Sequence, residues 1–199
     1  MILRNIKQLR IIRVLLDNPT GILTKYKIAK IVNCSIPRVI QVIQKLEKMN
    51  FVKVTKVIDF NKLIQYYIKI DNLKSEKYYY HIANPLDFFK KIKLNYAFTT
   101  YAAENIINHH LFLNKFDVYI SKKDFTKWRQ LLKDKALIGK GNLTFITPKD
   151  EDILKESVKI KGYNVVSTPQ LLIDLKKEGG VCIEAYNILL DKYVQQKRN

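Results

Sequence analysis

Residues 24–52 constrain the fold most, because they predict two short helices joined by a tight turn and followed by a strand. Thr24 is a suitable N-cap for the first helix, and Asn33 at its end tolerates a left-handed backbone. Ser35 then caps a second helix, which carries Pro37 in its first turn, where a missing N–H costs nothing. This pattern is typical of a helix-turn-helix.

The second of these helices is predicted to be amphipathic. Val39, Ile43 and Leu46 recur at helical spacing, so we expect them to face a core. The opposite face combines two cations with an amide that can make bidentate contact with a base edge, as a helix in the major groove of DNA requires. We assign five residues of this helix to contact with double-stranded DNA: Ser35, Arg38, Gln41, Val42 and Lys45.

The flanking segments extend the motif to a winged helix-turn-helix. Residues 5–17 predict the preceding helix, with Arg13 on its solvated side. Residues 51–58 and 65–70 are rich in β-branched and aromatic side chains and predict a β-ribbon, the wing. Its cations are expected to contact phosphates rather than bases, and they are Lys53, Lys56 and Lys62.

Positive charge is concentrated in this first part of the chain. Residues 1–70 contain 14 lysines and arginines against three acids, a net charge of +11 out of +18 for the whole chain. Such a concentration predicts salt-dependent binding to a polyanion. An acidic protein or a membrane surface could use the same field. Because no lipidation signal or long basic amphipathic helix accompanies it, we expect DNA as partner and no membrane.

Length and composition indicate two domains. At 199 residues with 47% hydrophobic composition, the chain is long enough for two small cores. A polar stretch separates the two halves, so we place a winged-helix domain at residues 1–75, a connection at 76–83 and an α/β domain at 84–199. Three adjacent tyrosines, Tyr78, Tyr79 and Tyr80, predict a strand or packing between domains, with a stacking platform for single-stranded nucleic acid as the alternative.

The cysteines, the histidines and the N-terminus give no indication of a disulfide framework, a metal site or a signal peptide. Cys34 and Cys182 are the two cysteines, which indicates neither a disulfide framework nor a cysteine metal site. His109 and His110 point about 100° apart on a helix and have no third ligand at useful spacing. Cations interrupt the apolar residues of the N-terminus, so it lacks the core of a signal peptide. We expect a cytoplasmic protein with no cofactor and no metal.

The second half predicts a mixed α/β domain. We interpret Gly139-Lys140-Gly141 as a hairpin turn and expect capping or interdomain salt bridges from Asp174 and Glu184. Helices are predicted at residues 86–92, 96–110, 123–133, 168–178 and 181–194, and strands at residues 116–120 and 143–146.

Part of this pattern is similar to the nucleotidyltransferase fold, in which a Gly-Ser turn holds phosphates and two aspartates hold metal. Thr99-Thr100 stands where Gly-Ser would be, and the strand with Asp117 and Tyr119 offers one carboxylate where the chemistry needs a pair. We therefore predict α+β architecture in which a winged helix-turn-helix precedes a nucleotidyltransferase-like scaffold, with no catalytic residues.

The wider order of motifs resembles the AbiEi family, transcriptional regulators and antitoxins of type IV toxin–antitoxin and abortive-infection systems. The motifs that follow the winged helix are Tyr96-Ala97-Phe98-Thr99, Ala102-Ala103, Val118-Tyr119-Ile120, Gly141-Asn142-Leu143, Val165 to Leu171, Asp174-Leu175, Gly179-Gly180 and Glu184-Ala185. The resemblance implies a repressor that binds inverted repeats upstream of its own operon, as monomer or homodimer. It also implies a functional pairing with a nucleotidyltransferase toxin, without a stable complex.

Two other functions remain open at this point. The chain could be an active nucleotidyltransferase whose winged helix holds a nucleic-acid substrate. It could instead be an adaptor, because winged helices also bind proteins and a fold alone does not fix a function.

Overall fold

The computed structural model describes the backbone of residues 2–198 and the side chains of residues 5–197, so the outermost residues of both predicted domains, Met1 and Asn199, lie outside it. The fold is α+β, as predicted, with a helical N-terminal part and a mixed sheet. The chain divides into two compact units. Unit 1 joins Met1–Leu73 to Ile188–Asn199, and unit 2 comprises Lys74–Asn187.

Unit 1 begins with three helices around a common apolar core. The first helix packs against the second and third, and Leu9, Ile28 and Ile43, one from each helix, are completely buried. Arg13 is also buried, contrary to its predicted solvated position, and donates a hydrogen bond to the Tyr67 hydroxyl. These helices are α1 (Ile2–Asp17), α2 (Lys25–Val32) and α3 (Ile36–Lys48).

The wing is a short hairpin of β1 (Val52–Lys53) and β2 (Lys56–Val57). The segment before α2 adds to it, because Thr20 forms a β-bridge with Lys56. Gly21 follows with a φ of 87°, and a Cβ there would lie 3.1 Å from Cβ of Lys56. The positive φ and the close approach to Lys56 therefore favour glycine at position 21, directly after the bridge between Thr20 and the wing.

The second predicted strand of the wing is wrong. Residues 65–70 belong to a helix, α4 (Phe60–Ile70), for which Asp59 is the N-cap and accepts a hydrogen bond from the Lys62 amide at 2.9 Å. Leu63, Ile64 and Tyr67 form its buried face. The helical spacing of these side chains and the cap therefore outweigh the local β propensity of the segment.

The structure also divides the chain differently from the predicted domains 1–75 and 84–199. The last helix, α10 (Cys182–Arg198), begins in unit 2, but its second half belongs to unit 1. There the Tyr193 hydroxyl donates to the Leu16 carbonyl at 3.0 Å, and Lys197 Nζ donates to the Asp17 carbonyl at 2.9 Å. These side chains satisfy carbonyls that the end of α1 leaves without a helical partner.

Unit 2 is built on a seven-stranded mixed sheet of order β6-β3-β7-β5-β4-β9-β8. Its elements are β3 (Glu76–Ile82), α5 (Pro85–Lys90), β4 (Tyr96–Thr99), α6 (Thr100–Asn108), β5 (Phe116–Ile120), a 3-10 turn at Lys122–Asp124, α7 (Phe125–Leu132), β6 (Ala136–Ile138), β7 (Leu143–Thr147), α8 (Asp152–Lys155), β8 (Val158–Ile160), β9 (Tyr163–Val165) and α9 (Thr168–Glu178).

The two faces of this sheet differ in chemistry because side chains alternate along each strand. On one face, Phe98, Val118 and Phe145 lie in register across β4, β5 and β7, and they continue into an aromatic core around Trp128 and Phe89. On the other face, the register places Thr99 beside Asp117, and Asp117 beside Thr144. Helix α6 packs against β4 and β5 and also contacts α9.

Three predictions for unit 2 are wrong. Residues 76–83 are not a connection, because residues 76–82 form β3, which pairs with both β6 and β7; the tyrosines thus lie in a strand, as one alternative predicted. Tyr96–Thr99 is a strand, and the helix begins only at Thr100. Strands that are buried on both faces consist of continuous apolar residues. Their sequence lacks an alternating pattern, so periodicity alone does not distinguish them from a helix.

The third error concerns Gly139-Lys140-Gly141, which is a crossing rather than a hairpin turn. Residues 139–142 join β6 to β7, which flank β3 on opposite sides. A Cβ on Gly141 would lie 2.5 Å from the Tyr80 carbonyl oxygen, so only glycine fits where the chain passes over β3. Asn142 then accepts from the Ile82 amide and donates to the Ile82 carbonyl, taking the place of a strand partner.

In the part of the chain that the structure describes, no helix combines the length and the apolar character needed to cross a lipid bilayer.

Candidate nucleic-acid interface

Two of the three caps predicted for the helix-turn-helix are present, at Thr24 and Asn33, and the third, a capping hydrogen bond from Ser35, is absent. The Thr24 hydroxyl accepts a hydrogen bond from the Lys27 amide, and Asn33 ends α2 with a φ of 52°. Asn50 likewise has a φ of 58° where α3 gives way to the wing. Ser35 precedes α3 in extended conformation, but its side chain makes no capping bond and is exposed. Its hydroxyl is therefore available to a ligand at the start of α3.

One predicted contact residue is misplaced. Val42 is 3% exposed and belongs to the core-facing side of α3 together with Val39 and Leu46, so it cannot contact DNA from there. Gln41 and Lys45 are exposed as predicted, and Arg38 is half-buried. The exposed face of α3 also contains Gln44 and Lys48, which the sequence analysis did not assign.

A chain of hydrogen bonds fixes Arg38 and Gln41. Arg38 Nη1 donates to Oε1 of Gln41 at 2.8 Å, and Arg38 Nη2 donates to Oε1 of Gln8 at 3.4 Å. Gln8 in turn donates from Nε2 to the Tyr66 hydroxyl at 3.2 Å. We call these four residues the support chain. It joins α1, α3 and α4, and it restrains two side chains that would otherwise lose conformational entropy on binding.

Tyr66 also contacts a second cation of α3. The ammonium of Lys45 lies 5.6 Å from the centre of the Tyr66 ring, within the range of a cation–π contact, and Phe51 packs against the same ring at 5.7 Å. Tyr66 is not among the predicted site residues, because the β-branched residues of 65–70 predict a strand there. The helical N-cap at Asp59 was the available signal.

The wing carries two of its three predicted lysines. Lys53 and Lys56 are exposed on β1 and β2, on either side of the hairpin tip. The tip residue Val54 has a φ of 59°, and its amide donates to a Glu47 carboxylate oxygen of α3 at 2.7 Å. Lys62 does not lie on the wing, because it belongs to α4 and forms an ion pair with Asp59 at 3.1 Å.

Helix α2 adds cations that the sequence analysis left unassigned. Lys27 and Lys30 are exposed, and Lys30 Nζ lies 4.9 Å from the centre of the Tyr26 ring. In helix-turn-helix proteins the helix before the reading helix crosses the DNA backbone, so lysines here are suited to phosphate contact. Their position in the motif was the signal that could have found them.

Unit 2 contains a separate buried polar cluster around Asp174 of α9. The Asp174 carboxylate accepts hydrogen bonds from the Thr99 hydroxyl at 2.6 Å, the Tyr119 hydroxyl at 3.2 Å and the Gln170 amide at 2.9 Å. Burial raises the pKa of Asp174 to about 6, although these hydrogen bonds act in the opposite direction. Asp174 thus links α9 to β4 and β5, rather than capping a helix or forming an interdomain salt bridge as expected.

A second buried carboxylate, Asp117 of β5, lies opposite Thr99 and is also hydrogen-bonded. Asp117 accepts a hydrogen bond from the Thr100 hydroxyl at 2.6 Å, and Thr100 occupies the sharp turn from β4 into α6 with a φ of 46°. Such a φ is strained for a β-branched residue. Glu184 is exposed, 3.9 Å from Nε2 of His110. The described residues contain no group of three or more histidine, cysteine or acidic side chains that could hold a metal ion.

Searches against protein-family models, curated proteins and solved structures give no match to this chain.

Proposed function

We propose that this protein is a sequence-specific repressor that binds double-stranded DNA through unit 1, with α3 in the major groove. The observation that carries the proposal is the support chain, which holds Arg38 and Gln41 side by side at the exposed edge of α3. An arginine and an amide side chain at neighbouring turns of one helix are suited to contact base edges in the major groove.

The hydrogen bond between these two side chains determines what they can present. Because Oε1 of Gln41 accepts from Arg38, the amide nitrogen is the group that Gln41 presents, and the guanidinium of Arg38 consists of donors alone. A surface of donors is complementary to the acceptors of guanine, N7 and O6, and to O4 of thymine. We therefore propose that the pair contacts a guanine or thymine edge in each half-site.

Lysines around this face supply the contacts to the backbone. Lys53 and Lys56 on the wing, Lys45 on α3, and Lys27 and Lys30 on α2 are exposed. Contacts of this kind orient a protein on the duplex and release counterions, so they give affinity that falls with salt but little discrimination.

The biological role that we propose follows from the resemblance stated above. The protein would repress its own operon from inverted repeats and act as the antitoxin to a nucleotidyltransferase toxin in the cytoplasm. We propose a scaffold role without catalysis for unit 2, because Asp117 and Asp174 each accept hydrogen bonds from neighbouring side chains of that unit. Side chains held in this way connect the strands to the helices of unit 2 and are not directed at a substrate.

The test is a salt titration of binding to the protein's own upstream DNA and to a scrambled duplex. Gln41→Ala should reduce the preference for the upstream site by about 1–3 kcal/mol and leave scrambled-duplex affinity nearly unchanged. Lys53→Ala should weaken binding to both duplexes and lower the salt slope by about 1. Gln65→Ala is the matched control, because Gln65 is an exposed glutamine of unit 1 that bonds Asn61.

Two outcomes would overturn the proposal. Equal, salt-sensitive binding to both duplexes that Gln41→Ala does not change would leave only a basic surface. Transfer of labelled nucleotide to RNA in the presence of magnesium, abolished by Asp117→Ala, would assign the protein to the nucleotidyltransferases instead.

A further inference from the structure

Strand β6 is an open edge of the sheet in unit 2. Within the described residues it pairs with β3 alone, with Ile138 opposite Tyr80 and Leu137 opposite His81. The Gly139 amide donates to the Tyr79 carbonyl at 3.0 Å. Because hydrogen-bonded pairs alternate along antiparallel strands, Leu137 faces β3 with its backbone groups, and Ala136 and Ile138 direct theirs away from the sheet.

The side chains of this edge are apolar and exposed. Leu137 is 73% exposed and Ile138 is 83% exposed, unusually high values for large apolar residues on a strand. Ile138 also lines a hollow of about 170 Å³, whose other walls are Tyr80, Arg129, Leu132, Lys133 and Ala136. The edge therefore offers backbone groups for pairing and, beside them, a place for a side chain of the added strand.

The charge around the edge selects the kind of strand that fits. Arg129 and Lys133 line the hollow, and Lys135 and Lys140 flank β6 on either side; all four are exposed. A second copy of this chain would bring the same cations against each other across the new pair of strands. An acidic segment would instead meet opposite charges.

We propose that β6 binds an acidic, extended peptide segment of a partner protein, which adds to the sheet as an eighth strand. The backbone groups of Ala136 and Ile138 form hydrogen bonds with the peptide backbone. Ile138 and the hollow contact an apolar side chain of the peptide, and the flanking cations contact its acidic side chains. This binding is independent of the DNA contacts of unit 1, so it can be tested whether or not the repressor proposal holds.

The test uses the full chain and a synthetic peptide of alternating glutamate and valine, with binding followed by isothermal titration calorimetry. We expect binding that weakens with salt, and no binding of a peptide of alternating lysine and valine. Ile138→Pro removes an outward-facing amide without touching the pairing to β3, and it should weaken binding about fivefold or more.

A proline on the opposite edge of the sheet is the matched control. Strands β8 and β9 form a hairpin through Lys161 and Gly162, which both have positive φ, so the closing pair Ile160 and Tyr163 is hydrogen-bonded and Lys159 faces outward. Lys159→Pro should leave binding of the acidic peptide unchanged.

The proposal fails if Ile138→Pro binds the acidic peptide as tightly as the wild type does, or if the acidic and basic peptides bind equally. Should Ile138→Pro not fold, an acidic peptide N-methylated at alternate residues replaces it, and equal binding of the methylated peptide to wild type overturns strand addition. A concentration-dependent dimer in sedimentation that Leu137→Lys dissociates would show that a second copy occupies the edge instead.

Discussion

Replacing Asp174 with asparagine should stabilise unit 2 at neutral pH, although the carboxylate of Asp174 accepts three hydrogen bonds. The carboxylate of Asp174 is buried, and its pKa rises from 3.8 to about 6. The folded protein therefore holds the proton of this group more tightly than the unfolded chain does, and its ionisation disfavours folding. The amide of asparagine keeps the shape of the group and has no charge to bury.

The size of the effect follows from the shift. A rise of about 2 pKa units at about 1.4 kcal/mol per unit costs roughly 3 kcal/mol once both states are ionised, above pH 6. Below about pH 3 the group is protonated in both states and the cost disappears. Since asparagine can accept from Tyr119 and Gln170 at one atom and donate to the Thr99 hydroxyl at the other, we expect a net gain of about 2 kcal/mol at pH 8.

Trp128 makes the measurement specific. It is the single tryptophan of the chain and is completely buried in the aromatic core of unit 2, so its fluorescence reports the unfolding of that unit. Denaturant titrations between pH 3 and pH 8 should show Asp174→Asn about 1 kcal/mol less stable than wild type at the acid end and about 2 kcal/mol more stable at pH 8. The change of about 3 kcal/mol should occur between pH 4 and pH 6, the interval between the two pKa values. At pH 8 the melting temperature of unit 2 should rise by roughly 8 °C.

Asp134→Asn, which neutralises an exposed aspartate of unit 2, is the control for the change in net charge and should show no such change with pH. Destabilisation of Asp174→Asn by the same amount at pH 3 and pH 8 would refute the reasoning. It would mean that the three donors require a carboxylate for its geometry, and that burial of the charge contributes little.

Three further substitutions test other parts of the structure. Tyr66→Phe removes the last acceptor of the support chain and should reduce discrimination between upstream and scrambled DNA severalfold by loosening Arg38 and Gln41, with circular dichroism unchanged. Gly141→Ala should destabilise unit 2 by about 2 kcal/mol or more in Trp128 fluorescence titrations, because its Cβ would meet the backbone of β3. Asp59→Ala should cost unit 1 about 1 kcal/mol in far-ultraviolet melts, through loss of the α4 cap.

Local signals in the sequence predicted the helix-turn-helix well. Both ends of α2 have a residue whose chemistry favours the local backbone conformation, Thr24 at the start and Asn33 at the end, whereas Ser35 makes no capping bond at the start of α3. The position of Val42 was also within reach of such reasoning, because a residue three after Val39 and four before Leu46 lies on their side of the helix. The prediction that Val42 faces outward was therefore inconsistent with the spacing of residues along a helix.

Other features depend on contacts that no local pattern carries. The β-branched residues of 65–70 suggested a strand, but burial of Leu63, Ile64 and Tyr67 against the rest of unit 1 made it a helix. Gln8 is one polar residue among many until α1 and α3 pack together, and only then does it orient Arg38. The central strands are continuous runs of apolar residues that show neither the alternation of a strand nor the spacing of a helix. The sequence therefore predicted β4 as part of a helix.

The return of the C-terminus to unit 1 shows how far such contacts reach. Tyr193 and Lys197 lie more than 170 residues from the carbonyls of Leu16 and Asp17 that they satisfy, and Tyr193 also packs edge-on against Phe60 of α4. A fragment that ends before residue 188 would leave these carbonyls without their donors and expose Phe60. Unit 1 is therefore a discontinuous folding unit, and residues 1–75, the predicted domain, lack the segment that completes its core.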